Sequence, residues 1–173
     1  VLLDVISSEE HGWWKFLSNN TIISEARILN DINLLKNFYL NNGYYDVQIT
    51  SSSIENISKF KSNIIYSINA GPVYKFNKID FVDPKNILND QDINYLKKSA
   101  NKIIKTNYSL IKINKLNEVI NDYFDQKFVI KINYNVNFKQ NKSNIDLEII
   151  VEAEINKIFI NNIIIRGNNI TDE

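Results

Sequence analysis

The sequence predicts an α+β fold made of tandem β-α-α-β-β modules, each laying two helices on one face of a three-stranded mixed sheet. Three observations predict it: a long-period self-similarity, the same order of helical and alternating segments in each copy, and an eleven-residue apolar/polar alternation over residues 128–138. At an offset of 84, Phe76-Asn77-Lys78-Ile79-Asp80-Phe81 falls on Ile160-Asn161-Asn162-Ile163-Ile164-Ile165, and the helical stretch Leu34–Leu40 falls on Glu118–Phe124. At an offset of 83, Ile64, Tyr66 and Ile68 fall on Leu147, Ile149 and Val151. An Ile-rich chain gives one such match by chance; three in the same order indicate tandem copies of one fold.

The elements follow in chain order. Ser24 is placed to cap a helix that begins at Glu25, because its hydroxyl can accept from a free amide of the first turn. Ile28, Ile32, Leu35 and Tyr39, with Leu34 and Phe38 beside them, form a stripe of helical period. Asn42-Gly43 is a stop signal, with Gly43 free to take the left-handed conformation. Tyr45, Val47 and Ile49 then alternate with Asp46, Gln48 and Thr50, so Tyr45–Ser52 is expected to be a half-buried strand. A polar Ser/Asn/Lys loop follows, then a strand at Ile64–Ile68 that ends at Gly71-Pro72.

The second copy opens with a strand at Val73–Val82, with Tyr74, Phe76, Ile79 and Phe81 as expected core residues. Helices are expected at Asp90–Ile104 and Ser109–Lys127. Phe128–Phe138 reads as a strand, Gln140-Asn141-Lys142-Ser143 as its turn, and Ile145–Ala153 as the returning strand. An α+β layer of this order leaves one sheet face wet.

Composition narrows the function. Hydrophobic residues make up 44% of the 173 and aromatics 12%, enough for a packed core. Acidic and basic residues balance at 20 each with no basic block, so nucleic acid is not an expected partner. All basic residues except Arg27 and Arg166 are Lys, and Ile and Asn dominate, which is the usage of AT-rich codons. There is no Cys, which excludes disulfides, thiolate metal sites and cysteine nucleophiles. His11 is the sole histidine and cannot build a multi-histidine metal site. No apolar run is long enough to span a bilayer, so no membrane-spanning helix is expected. Both ends, Val1-Leu2-Leu3-Asp4 and Ile170-Thr171-Asp172-Glu173, read as cut. Four isolated glycines (12, 43, 71, 167) build no phosphate loop, and no nucleophile elbow or His-Glu-x-x-His pair is present. Asp122 and Asp125 read as a solvated helix face. No cofactor or metal is expected, and the chain reads as a binding module and not an enzyme.

Leu34-Leu35-Lys36-Asn37-Phe38-Tyr39-Leu40-Asn41-Asn42-Gly43-Tyr44-Tyr45-Asp46-Val47 resembles the second helix and following strand of the POTRA domains of outer-membrane β-barrel assembly factors. Ile68-Asn69-Ala70-Gly71-Pro72-Val73-Tyr74 resembles the junction between such domains. Ile163-Ile164-Ile165-Arg166-Gly167-Asn168-Asn169-Ile170-Thr171 resembles the first strand and turn of a further one, and Trp13-Trp14 the aromatic pair of the third. The resemblance covers essentially the whole chain, from the third domain to the start of the fifth. It implies a domain at 1–71 lacking its first strand, a complete one at 72–153, and the first strand and turn of another at 154–173. Two positions depart from the family pattern: Lys127 replaces the glycine at the second helix stop, and Asp83-Pro84 stands where Gly-Asn is usual.

The resemblance further implies a periplasmic arm, tethered to the outer membrane by a C-terminal β-barrel of the same chain. It would receive unfolded outer-membrane proteins and hold accessory assembly lipoproteins. A three-stranded sheet offers unpaired backbone groups at its margins, and strand addition is the binding mode open to it. The candidate edge residues are Tyr45, Val47, Ile49, Phe128, Ile130, Ile132 and Tyr134. Gly71, Tyr74 and Ile158 are candidate interdomain residues, and Trp13 and Trp14 a candidate partner surface. Most sheet edges bind nothing, and Lys131 and Lys139 equally suit protection against aggregation. The alternatives are the POTRA arm of a two-partner secretion or translocation-and-assembly protein, a division scaffold, or, further off, an enzyme of unknown class.

Overall fold

The computed structural model describes residues 2–8, 24–59 and 61–153. Trp13, Trp14, His11 and Ile158, and the strand and turn expected at 154–173, lie outside the described residues.

A short 3-10 turn at Leu2–Asp4 precedes the first helix, α1 (Glu25–Asn41). Ser24 Oγ accepts from the Arg27 amide at 3.3 Å, the cap that the sequence suggests. The helix buries Asp31 and Leu35, one turn apart. It stops where Gly43 takes φ +101, a conformation that side chains rarely adopt. Two antiparallel strands follow, β1 (Gln48–Ser58) and β2 (Lys61–Asn69).

The polar stretch after Ser52 is therefore not a loop, as the sequence suggests, but the outer half of a long hairpin. Register shifts at Ile49/Ser51 and Asn56/Ser58 explain why no alternation marks it. A bulge adds a residue to one strand and resets the period of two. In β2, which has no such slip on its own side, exposure alternates residue by residue.

The second unit runs β3 (Lys75–Val82), α2 (Asp90–Ala100), α3 (Leu110–Lys127), β4 (Ile132–Asn141) and β5 (Asn144–Ala153). Its sheet has the order β3-β5-β4, with β5 parallel to β3 and antiparallel to β4, so the sheet is mixed. A parallel pair needs a long crossover, and α2 and α3 supply it. Asn89 and Asp92 form a reciprocal capping box on α2, and Ser109 caps α3. Lys142, at φ +53, turns β4 into β5.

Ile113, Leu116, Ile120 and Phe124 line the buried side of α3, and Leu96 and Ala100 that of α2. They pack on Phe76, Ile79, Ile145, Leu147, Ile149 and Val151 of the sheet. Phe76 and Ile79 are three apart yet share a face because a register shift lies between them. Ile28, Leu35 and Tyr39 correspond in position to Ile113, Ile120 and Phe124, and Val47 to buried Ile132. The helix and first hairpin strand thus repeat at an offset of 85, one more than the sequence match suggests, while β2 and β5 keep 83.

Candidate strand-addition edge and the junction beside it

β4 is an outer strand of its sheet, paired on one side with β5, from Ile132↔Ala153 to Asn141↔Asn144. Tyr134, Val136 and Phe138 share the helix-facing side with Val151, Ile149 and Leu147, opposite which they lie. Asn133, Asn135, Asn137 and Lys139 face the other way. Between β4 and α3 runs an open groove lined by Asn117, Asn121, Asp125, Lys131, Ile132, Asn133, Tyr134 and Val136. The Tyr134 hydroxyl donates to the Asn117 carbonyl at 3.2 Å and forms a floor, and burial pushes its pKa up.

An equivalent groove lies between α1 and β1, lined by Ile32, Asn33, Lys36, Val47, Gln48 and Ile49. At the offset of 85, Ile32, Lys36, Val47, Gln48 and Ile49 match Asn117, Asn121, Ile132, Asn133 and Tyr134. Two different sequences thus open the same place in the fold.

The candidate edge residues divide. Ile49 lies on β1 opposite Ile68, and Ile132 and Tyr134 lie on β4, with the Ile132 side chain turned into the core. Tyr45, Val47, Phe128 and Ile130 do not belong to the strands. Tyr45 is in a turn, its ring edge-on to Tyr108 at 4.9 Å, and Val47 is buried just before β1. Phe128 ends α3, its amide donating to the Phe124 carbonyl at 2.9 Å and its ring resting on Phe124. Ile130 sits in an exposed bend. Alternation continues through 128–131, but the β5 ladder opposite begins only at Ile132.

Tyr74 is buried. Its hydroxyl donates to the Asp46 carboxylate, and Gln140 Nε2 donates to Asp46 at 3.1 Å and to the Tyr74 oxygen at 2.6 Å. The hydrogen bond to Asp46, then burial, then the charge of Asp46 raise the Tyr74 pKa. The Tyr74 amide donates to the Gly43 carbonyl at 2.7 Å. Gly71, at φ +68, lies against the Asp46 side chain. Asn41 Oδ1 accepts from the Ser109 hydroxyl at 3.2 Å and the Ile111 amide at 3.1 Å. Asn41, Asp46 and Gln140 were not marked by sequence, since nothing separates them from the many other polar residues of this chain.

Among the described residues, two carboxylates are buried. Asp31 accepts from Ser7, Ser8 and Tyr66. Asp92 accepts from Lys127, Tyr123 and the Asn89 amide. In both, burial pushes the pKa up, but the hydrogen bonds outweigh it and hold the group below its ordinary value. Burial, with the bond to Asp31 and its charge, pushes the Tyr66 phenol up to about 12.

A helix pair crosses from β3 to a parallel β5, with β4 hairpinned at the margin, and this fold is shared with solved POTRA structures. Residues 4–71 match the family model POTRA, described as Surface antigen variable number repeat. Among curated proteins, the outer membrane protein assembly factor BamA of Buchnera aphidicola subsp. Acyrthosiphon pisum (strain APS) is 26% identical over 166 residues, covering 94% of this chain and 26% of the relative. BamA of Neisseria meningitidis serogroup B (strain ATCC BAA-335 / MC58) is 29% identical over 79 residues, 45% of this chain and 10% of its own length. This chain thus spans about a quarter of the first relative and a tenth of the second. The crystal structure of Haemophilus influenzae BamA POTRA3-5 shares the fold with a TM-score of 0.59 and 16% identity, covering 87% of this chain and 59% of that one. POTRA1-2 of the periplasmic domain of Omp85 from Anabaena follows at 0.53 and 10%, covering 86% and 81%.

Proposed function

We propose that this chain is part of the periplasmic POTRA arm of an outer-membrane assembly factor, a scaffold and not an enzyme, and that it holds unfolded outer-membrane proteins as an added strand along β4 and β1. On this reading residues 1–71 and 72–153 are successive modules and 154–173 opens a third. Accessory lipoproteins dock on the same arm, which a β-barrel of the full-length protein anchors at the outer membrane. The observation that carries the reading is the position of β4: an outer strand beside an open groove, with the same groove recurring at β1.

Four to six added backbone hydrogen bonds, at a net ~0.5–1.5 kcal/mol each, give roughly 2–9 kcal/mol. Association costs on the order of 4–15 kcal/mol. One edge alone binds weakly, which suits a site that must pass its client on, and backbone pairing is indifferent to most client sequence. A photoreactive residue at Asn135 should crosslink an unfolded β-barrel protein, whereas one at Asp122 should not. A client peptide N-methylated at alternate residues should lose the Asn135 crosslink when the methylated edge faces β4. Equal crosslinking at both positions, or indifference to methylation in both phases, removes strand addition.

A further inference from the structure

We propose that Lys131 and Lys139 give the β4 edge a register and a charge preference: they disfavour pairing with a second copy of the chain and favour an extended strand that carries acidic residues eight positions apart. The inference rests on the strand-addition reading above. Between the two lysines lie seven residues, Ile132-Asn133-Tyr134-Asn135-Val136-Asn137-Phe138, with no charge and no proline. Edges of soluble sheets are usually blunted by one or the other, so a neutral edge of this length invites pairing.

Self-pairing is the first hazard. If two copies of β4 meet antiparallel with the neutral stretches fully overlapped and pairing extends one residue before Ile132, Asn135 faces Asn135 and each Lys131 faces the other copy's Lys139. Both ends then place like charges opposite each other, which is destabilising across neighbouring strands. A foreign strand with acids at those two places meets the opposite situation. Lys131, Asn133, Asn135, Asn137 and Lys139 share one parity, so a guest's polar residues would lie beside the Asn amides and its apolar ones beside Val136 and Phe138.

Local acids moderate the effect without cancelling it. Lys139 pairs with Glu148 at 3.0 Å, with its side chain still 63% exposed, and Asp125 lines the groove with Lys131. The β5 backbone stands one strand further away, roughly 9–10 Å from a guest, but the Glu148 carboxylate reaches Lys139 itself, so that lysine contributes less than Lys131. An opposite-charge pair across strands is worth roughly 1.4- to 5-fold in affinity, so two give on the order of 2- to 10-fold after this moderation.

The test uses the 173-residue chain and nine-residue alternating peptides with Glu at positions 1 and 9, Gln at both, or Lys at both. A fourth peptide has Glu at positions 3 and 7. Binding is read by amide shifts of residues 133–139. The expected order is Glu-1/9 tightest, Gln and Glu-3/7 alike, and Lys weakest, with the differences shrinking as salt rises. The K131Q/K139Q variant should bind the Glu-1/9 and Gln peptides alike and should dimerise more readily in sedimentation. If all peptides bind alike, or Glu-3/7 equals Glu-1/9, or the variant stays as monomeric as the parent, the inference fails while strand addition stands. If none shifts β4, strand addition itself falls, and this inference with it.

Discussion

Asp31 on α1 occupies the place that Leu116 occupies on α3, at the same offset of 85, and both are buried. The leucine packs against the sheet, whereas the aspartate accepts from the Ser7 amide at 2.7 Å, the Ser7 hydroxyl at 2.6 Å, the Ser8 amide at 3.3 Å and the Tyr66 hydroxyl at 2.9 Å. One carboxylate thereby fastens residues 7–8 and β2 to α1. Asp31→Leu restores the apolar stripe but strands those donors. It should lower the free energy of unfolding by about 2–4 kcal/mol, measured by urea denaturation. A variant as stable as the parent would show that the donors find other partners.

Stability should also fall on the acid side. Asp31 and Asp92 both titrate below the ordinary 3.8. A carboxyl with a depressed folded pKa binds its proton less readily in the folded state, so its contribution is complete above the unfolded value and is lost as pH drops through the folded one. Stability is expected to be flat above about pH 5 and to decline below it. Asp92→Asn removes the charge that Lys127 meets and one of the two oxygens that accept from Lys127, Tyr123 and the Asn89 amide, and should cost about 2 kcal/mol at neutral pH. It should also flatten the acid slope. An unchanged slope, read from denaturation midpoints between pH 2 and 6, would assign the acid sensitivity elsewhere.

Much of the fold was legible because its core repeats a simple period. The α3 stripe, the buried alternation of β5 and the cap at Ser24 are local signals, and the structure keeps them. Strand margins were less legible. Phe128 and Ile130 continue the alternation of β4 without a ladder partner, and two bulges hide the period of β1. At the candidate edge, Ile49, Ile132 and Tyr134 were placed on the strands, while Tyr45 and Val47 were read one element too far. The junction was visible only through Gly71 and Tyr74, since its other members are ordinary polar residues whose partners are distant in sequence.

Gly43 should tolerate no side chain. Its φ is +101, and a Cβ there would stand 2.9 Å from Val73 Cγ1. Val73 is next to Tyr74, whose amide holds the Gly43 carbonyl, so the neighbour cannot move freely. Gly43→Ala should cost about 1–3 kcal/mol, seen as a lower thermal midpoint. An unchanged midpoint would mean that the turn re-forms in another conformation.

Asn41 belongs to α1 by sequence but serves α3 by contact. The first amides of a helix have no partner within it, and Ser109 Oγ accepts one of them, from Lys112 at 3.4 Å. The Ile111 amide is taken by Asn41 Oδ1 instead, which also holds the Ser109 hydroxyl in place. Asn41→Ala removes both bonds at once and, by analogy with loss of a cap, should cost about 1 kcal/mol. The location of the effect is the sharper readout. Hydrogen exchange should quicken in the first turn of α3, far along the chain from the substitution, while the middle of α1, whose ladder is untouched, keeps its protection. Quickening confined to the end of α1 would mean that α3 is capped without help, and that the two units meet at this point without stabilising each other.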